Sequence, residues 1–369
     1  MKSKFNIGIV FGGRSGEHEV SLASATSIIN TLDKSKYEVI SVGIAKDGRW
    51  FSCDDVMNLL KSGKIPPAEF EVSILPEPVR KGLTNLKTGN VTPLDAVFPV
   101  LHGTFGEDGT VQGLLDLAEI PYVGAGTCGS AVGMDKIIQK EIARQIGIKV
   151  APSIWFLAKD YWNAPDKIIK DIEEKFSYPY FVKPCNSGSS VGISKAHNRN
   201  ELKSSIEDAA RYDTRILVEK GIENGKEIEI SVLGNDDLVL SLPGEIFSSN
   251  EFYDYDAKYV DGKSKTVVPA DLPQNIVKTI QDNAAKIFKA AACSGMARVD
   301  FLVSGEDVFF NELNTIPGFT SISMYPKMLA ASGISFGVLI DKLIELAIER
   351  GGEKKKLLTS YHPKKEWYR

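Results

Sequence analysis

Apolar and polar positions along this chain follow two rhythms, short buried runs in the first part and alternating strands in the last, with helical stretches between. Residues 4–11 form a short apolar run ending in Gly12-Gly13, the pattern of a buried parallel strand. Residues 18–32 then repeat at helical spacing, with Val20, Ala23, Ser27 and Ile28 expected near one face. Residues 37–45 are a second strand, so strand, glycine turn, helix and strand make a βαβ unit. From about 51 to 94 the pattern is mixed and holds Pro66, Pro67, Pro76 and Pro78, which predicts loops and edge strands. A buried strand over 95–101, a helix over 110–119 and a short strand at Tyr122-Val123 lead to Gly124-Ala125-Gly126, where a domain break is expected.

Beyond the break the spacing predicts a helix over 134–145, closed by Gly147, and a strand ending at Phe181 to Lys183. A helix over 200–211 and a strand over 216–220 follow. Alternation then dominates at 227–233, 238–242, 297–303 and 308–313, interrupted by a long helix over 273–292. A last helix covers 335–350. The charged segment 351–369 ends in Trp367-Tyr368, a pair expected to dock on the body.

Composition narrows the class. A length of 369 residues exceeds one ordinary core and predicts two or three domains. Hydrophobic content of 43% and charged content of 25% are those of a globular protein. A net charge of −4 argues against nucleic-acid or membrane-surface partners. Cys53, Cys128, Cys185 and Cys293 lie far apart, which suits reduced thiols better than a disulfide frame or a zinc site. No apolar run has spanning length and no signal-peptide pattern opens the chain, so a cytoplasmic location is expected.

Candidate chemistry begins on the last strands. Residues 297–303 alternate Arg298, Asp300 and Leu302 with Val299, Phe301 and Val303, and Ser304-Gly305-Glu306-Asp307 turns the chain back. A strict period of two places Phe310, Glu312 and Asn314 beside Arg298 and Asp300, and assigns Phe309 and Leu313 to the core face. Two carboxylates and an amide oxygen suit Mg²⁺, which takes few protein ligands plus waters and phosphate oxygens. On the hairpin alone, a solvated polar face is the simpler reading.

A phosphate partner comes from YFVKPCNSGSSVGIS, residues 180–194. Lys183 ends a strand, and residues 186–190 can bend to aim backbone N–H groups at a phosphate. The loop is not of the Walker type, because no Gly-Lys-Ser/Thr follows. Val191 and Ile193 are expected to resume a strand directly, making the loop a hairpin-sized connection. Lys136 and Lys183 can both reach phosphate oxygens, and each can also be a solvated lysine. Glu219, in EKGIENGKEIEISV, is a candidate for the nucleotide's adenine and ribose, or an edge-strand charge.

Taken in order, GGRSGEHEVS (12–21), LHGTFGEDGTVQG (101–113), GMDK (133–136), FVKPCNSGSSVG (181–192), FYDYDAKY (252–259), ARVDF (297–301) and NELNTIPGFTSIS (311–323) resemble the D-alanine–D-alanine ligases of the ATP-grasp superfamily. The resemblance covers nearly the whole chain. It implies an α/β fold, α+β in part, with a three-domain ATP-grasp architecture. Those domains would be an N-terminal substrate-binding βαβ domain (1–124), a central domain (125–220) and a C-terminal domain (221–369). ATP would lie between the last two, under a lid loop at 251–268.

The same resemblance implies roles. Asp300, Glu312 and Asn314 would ligate Mg²⁺ or Mn²⁺. Lys136, Lys183, Ser189 and Lys258 would hold phosphates. Glu219, the Lys220-Gly221-Ile222 backbone and Glu227 would form the adenine and ribose site. Glu17 would hold the first D-alanine's ammonium, and Ser323 and Met324 the second one's carboxylate, with His102 near that second site. Arg298 and the Gly318 N–H would be oxyanion donors. Tyr259, Ser189 and Glu17 would form a network under the lid, whose aromatic residues suit water exclusion. His18 reads as structural, and His197 and His362 carry no assignment.

The implied reaction joins two D-alanines at the expense of ATP through a D-alanyl phosphate, for peptidoglycan precursors. A homodimer is implied, and dependence on a monovalent cation such as K⁺ is left open. Ligases forming D-alanyl-D-lactate or D-alanyl-D-serine share nearly every motif, although the tyrosine-bearing lid favours the dipeptide of D-alanine. Another ATP-grasp carboxylate–amine ligase would not need GEHEVS. A non-catalytic nucleotide-binding module would not need the full metal and oxyanion set.

Overall fold

The computed structural model describes residues 4–247 and 265–361. β1 (Phe5–Gly12) leads through α1 (His18–Thr31) to β2 (Tyr37–Ile44), which pairs with it in parallel. Ile7, Ile9 and Phe11 enter one core and Val10 enters another on the opposite face. Coverage on both faces is why this strand is apolar without alternation. The inward face of α1 is Ser21, Leu22, Ser24, Ala25 and Ile28, not the predicted Val20, Ala23 and Ser27. Serines on the buried face hid its periodicity. Ser21 is tied to the sheet, its Oγ accepting from the Gly12 N–H at 2.7 Å and donating to the Val100 carbonyl.

Residues 51–94 hold more structure than predicted. β3 (Trp50–Phe51), the short helix α2 (Val56–Lys61) and an antiparallel sheet of β4 (Val72–Ile74), β5 (Gly82–Asn85) and β6 (Val91–Pro93) occupy this stretch. β7 (Ala96–Val100) then completes the first sheet in the order β3-β2-β1-β7. After α3 (Thr110–Leu117), the helix predicted over 134–145 is found as α5 (Lys136–Gln145), and a further helix that the pattern did not announce, α4 (Thr127–Met134), precedes it. Asp135 divides them. Its backbone is extended, and its carboxylate accepts from Ile137 and Ile138 N–H at 3.1 and 2.9 Å, capping α5.

A second sheet follows from β8 (Ser153–Leu157), past α6 (Ala158–Asn163) and α7 (Pro165–Lys175), to β9 (Tyr180–Pro184) and β10 (Ser194–Ala196), then past α8 (Arg199–Ala209) to β11 (Arg215–Lys220). Its order is β10-β9-β11-β8, all antiparallel. β9 and β10 are the expected hairpin, but β10 starts at Ser194 rather than at Val191. Residues 188–193 stay in turns, with Val191 N donating to Gly188 O at 3.0 Å and Ile193 N to Ser190 O at 3.2 Å.

The third sheet runs β15-β14-β12-β16-β17, with β13 on β12. Its strands are β12 (Lys226–Gly234), β13 (Val239–Leu240), β14 (Gly244–Phe247), β15 (Lys265–Val267), β16 (Gly295–Ser304) and β17 (Asp307–Asn314). α9 (Gln274–Ala290) covers one face with Ile276, Ile280, Ala284, Ile287 and Phe288. α10 (Met324–Ala331) and α11 (Phe336–Lys354) close the described chain, and α11 returns to the first sheet with Leu339, Ile340, Leu343 and Ile344.

One register shift matters for the site. Asp300 pairs with Glu312, yet Phe301 pairs with Phe310, so Asn311 is an extra residue in β17. This bulge corrects the strict alternation expected from the sequence. Phe310 joins Val299, Phe301 and Leu313 in the core, its ring 6.2 Å from that of Phe301, and does not share the face of Glu312 and Asn314. Among the described residues no helix is long and apolar enough to cross a membrane. The lid's Lys258 and Tyr259 and the Trp367-Tyr368 pair lie outside the described residues.

Candidate active site

Three neighbouring strands bring charged side chains into rows across the sheet. Glu229, Asp300 and Glu312 pair in register on β12, β16 and β17, and Ser231, Arg298 and Asn314 form the next row. Arg298 grips Asp300 with two bonds, Nε to Oδ1 at 2.8 Å and one terminal nitrogen to Oδ2 at 2.7 Å. Its Nε also lies 3.2 Å from Glu229 Oε1. Asn314 Nδ2 donates to Asp300 Oδ2 at 3.0 Å. Burial opposes charge on the guanidinium, but Asp300 and Glu229 outweigh it and push the Arg298 pKa well above its ordinary value. Sequence reading missed Glu229, because the register that puts it beside Asp300 is a long-range pairing.

Two carboxylates on adjacent strands with an amide beside them form a sparse set of hard oxygens. Among the described residues no group of three or more His, Cys, Asp or Glu could hold a metal. Such hard-oxygen donors are of the kind that suits Mg²⁺, which completes its shell with water and phosphate oxygens.

A second ionic cluster lies behind this face. Lys136 and Lys140 sit one turn apart on α5, so both point the same way. Lys136 Nζ donates to the Ser187 carbonyl at 2.5 Å and lies 3.8 Å from Glu312 Oε2. Lys140, fully buried, donates to the carbonyl of the bulge residue Asn311 at 2.6 Å and lies 2.8 Å from Glu219 Oε1. Lys183 Nζ lies 2.6 Å from Glu219 Oε2 and 3.3 Å from Asn311 Oδ1. Burial alone would raise the Glu219 pKa, but Lys140 and Lys183 reverse this and hold it at about 2. Burial also lowers the Lys140 pKa, whereas Glu219 more than offsets burial at Lys183 and raises it. The signal for Lys140 was its place four residues after Lys136, which the GMDK motif does not include.

The glycine-serine loop meets the first domain. Asp213 Oδ2 accepts from Asn186 N at 2.7 Å and from Asn186 Nδ2 at 2.9 Å, anchoring the loop's start. Ser189 and Ser190 both adopt positive φ, at 47° and 59°, and Ser189 Oγ donates to Glu17 Oε1. Two glycines make room for that carboxylate. A Cβ at Gly188 or at Gly103 would stand 2.6 Å from Glu17 Oε2. Nearby, buried His102 places Nδ1 at 3.1 Å from the Ile316 carbonyl and 3.6 Å from Glu107 Oε1, and Nε2 at 3.2 Å from Ser24 Oγ. Burial works against its positive form, yet Glu107 prevails and the His102 pKa is raised. His18, as expected, is structural, with Nδ1 at 2.8 Å from the Gly13 carbonyl.

Two adjoining cavities of about 630 and 480 Å³ open over these groups. The first gathers Glu17, His102, Lys136, Gly318, Ser323 and Met324. The second gathers Lys183, Ile222, Glu227 and Asp300. Ser190, Arg298 and Glu312 border both. Ser189 and Asn314 belong to the first. Glu219 and Lys220 border neither: Glu219 lies beneath Lys183, and the Lys220 N–H is bonded to the Pro152 carbonyl at 2.8 Å.

Two antiparallel sheets that close on a lysine-lined cleft, beside a parallel-sheet domain that supplies an acidic residue, define the ATP-grasp class of ligases. Profiles described as "D-ala D-ala ligase N-terminus" and "D-ala D-ala ligase C-terminus" match residues 6–125 and 142–345. The D-alanine–D-alanine ligase of Natranaerobius thermophilus is 50% identical over 97% of this chain and 99% of its own length. That of Caldicellulosiruptor bescii is 49% identical, again over 97% and 99%. Among solved structures, the VanG D-Ala:D-Ser ligase of Enterococcus faecalis superposes with a TM-score of 0.84 at 39% identity, covering 94% of this chain and 100% of its own. The D-alanine–D-alanine ligase of Coxiella burnetii gives 0.81 at 38% identity, covering 96% and 98%. The chain belongs to the D-alanine–D-alanine ligase family.

Proposed function

We propose that the protein joins two D-alanine molecules with ATP to give D-alanyl-D-alanine, ADP and phosphate, a step of peptidoglycan precursor synthesis. The observation that carries this reading is the single surface shared by the two cavities. Arg298 and Glu312 border both, so a phosphoryl group leaving one cavity is received in the other.

Peptide bond formation from a free carboxylate in water is uphill, so the carboxylate of the first D-alanine takes the γ-phosphoryl group of ATP. Phosphoryl transfer requires mainly placement and charge neutralisation. Lys136 and Lys183 hold phosphate oxygens, and Ile222 and Glu227 line the nucleoside end of the smaller cavity. Asp300, Glu312 and Asn314 would hold Mg²⁺, which neutralises phosphate charge when bound. Glu17, set at the rim by Ser189, takes the ammonium of the first D-alanine. The amine of the second attacks the acyl phosphate carbonyl, and phosphate leaves. Arg298 and the Gly318 N–H stabilise the oxyanion of that step; one such donor is worth roughly 3 kcal/mol of barrier. Ser323 and Met324 open α10, whose N-terminus favours the second substrate's carboxylate.

The test is product analysis with ATP and D-alanine alone, then with D-serine or D-lactate in competition. The reading expects D-alanyl-D-alanine as the main product and ADP formed in step with it. A main product of D-alanyl-D-serine or D-alanyl-D-lactate would move the chain to the other specificity. ATP turnover without any of these dipeptides or esters would overturn the assignment.

A further inference from the structure

Asp300 carries two demands in this site. Both of its oxygens are engaged by Arg298, at 2.8 and 2.7 Å, and one of them also accepts from Asn314 at 3.0 Å. Yet Asp300 is the residue at the centre of the carboxylate row, where a divalent cation would be shared with Glu312. A carboxylate that donates electron density to a cation holds a guanidinium less well, and the two positive charges repel each other across it. If Asp300 were the only anchor, binding the cation would loosen Arg298 at the moment when an oxyanion donor is needed.

The register supplies the answer. Glu229 is on β12, directly across from Asp300, on the side away from Glu312. It is buried, and its Oε1 lies 3.2 Å from Arg298 Nε, the same nitrogen that bonds Asp300. It also borders both cavities, between the nucleotide and the amino-acid ends. We propose that Glu229 is a positioning residue for Arg298, which takes over the guanidinium and so frees Asp300 for the divalent cation. This rests on the reading that Asp300 belongs to the cation site. The burial of one arginine among three carboxylates then has a reason. Two of them face the cation, and the third keeps Arg298 in place whether the cation is present or not.

The experiment measures Mn²⁺ binding to the full-length protein with ADP, through the electron-spin signal of free Mn²⁺. In Glu229→Gln, Arg298 falls back on Asp300 and competes with the cation, so Mn²⁺ affinity should fall about tenfold, within the usual range of site–site coupling. Glu229→Asp, which keeps the charge, should recover most of the loss. In an Arg298→Ala background the same Glu229→Gln change should cost less than about threefold, because no guanidinium remains to compete. A full tenfold loss in that background would mean that Glu229 acts on the cation directly, and would overturn the proposal. An unchanged Mn²⁺ affinity in Glu229→Gln overturns it as well. Asp300→Asn separates the two readings. If it weakens Mn²⁺ binding while Glu229→Gln does not, only the present proposal fails. If Asp300→Asn leaves Mn²⁺ binding intact, the cation assignment falls and this inference falls with it.

Discussion

The two buried ionic clusters of the cleft have opposite imbalance. Beneath the nucleotide end, two lysines, Lys140 and Lys183, share one carboxylate, Glu219. Beside it, one arginine, Arg298, faces the carboxylates Glu229 and Asp300, with Glu312 next in the row. Burying unequal charge costs free energy, and each imbalance has the sign that a ligand would correct. On the function proposed above, the lysine cluster's positive charge would meet phosphate and the carboxylate row's negative charge would meet a cation. The clusters also differ in exposure. Lys140 and Glu219 are almost fully enclosed, whereas the Glu312 side chain is 22% exposed and open to ligand. The first cluster therefore carries stability as well as function, and the second carries function with less of the fold depending on it.

That contrast can be broken at its functional end first. Glu312→Gln keeps the shape and removes one charge from the row. ATP turnover should fall about a thousandfold, in the range seen when one electrostatic contact to a transition state is lost, and the melting temperature should barely move. Steady-state kinetics beside a thermal melt check both halves. Near-normal turnover at low magnesium would remove Glu312 from the cation site.

At the buried end the order of effects reverses. Lys140→Met leaves Glu219 with one lysine and should destabilise the protein by about 3 kcal/mol, the scale of a broken buried pair, measured by urea unfolding. Its pH dependence has a definite sign. Glu219 is held near 2, below the ordinary 4.5, so its contribution to stability is present above about 4.5 and fades as pH falls from there towards 2. With Lys140 gone the folded pKa rises, and the acid loss from this group should shrink. Melting curves between pH 3 and 7 that stay parallel for wild type and variant would contradict the coupling.

The smallest expected effect lies outside both clusters. Asp213→Ala removes the two bonds that tether Asn186, at 2.7 and 2.9 Å. It should raise the KM for ATP several-fold and cost about 1 kcal/mol of stability, with little change in the KM for D-alanine. A change confined to D-alanine would place the glycine-serine loop with the amino acids instead of the nucleotide.

Much of this site was readable from the chain because motif residues are local. Lys183 with its loop, Arg298 with Asp300, and Glu312 with Asn314 each lie within a few positions of one another. The misreadings share a cause. Phe310 was assigned to the ligand face because strict alternation does not foresee an extra residue at Asn311, and a bulge is visible only against its partner strand. Helix α4 was missed because Thr127-Cys128-Gly129-Ser130 carries little apolar spacing and directly follows the glycines read as a domain break. The inward face of α1 was misjudged because Ser21 and Ser24 are polar residues whose partners come from elsewhere in the fold, the Gly12 N–H and Val100 carbonyl for Ser21 and His102 and the Phe319 N–H for Ser24.

By itself, the sequence determined most strand and helix types, the βαβ opening, the alternating strands of the last part, and the motifs that carry the candidate phosphate and cation residues. Only the tertiary structure decided which of those residues share a surface. The pairing of Glu229 with Asp300, of Lys140 with Glu219 and of Ser189 with Glu17 spans from 71 to 172 positions in sequence for Glu229–Asp300 and Ser189–Glu17, and no local pattern encodes it. Local propensity and periodicity act over a few residues, whereas a buried charge is stable only beside a partner that the whole fold must deliver.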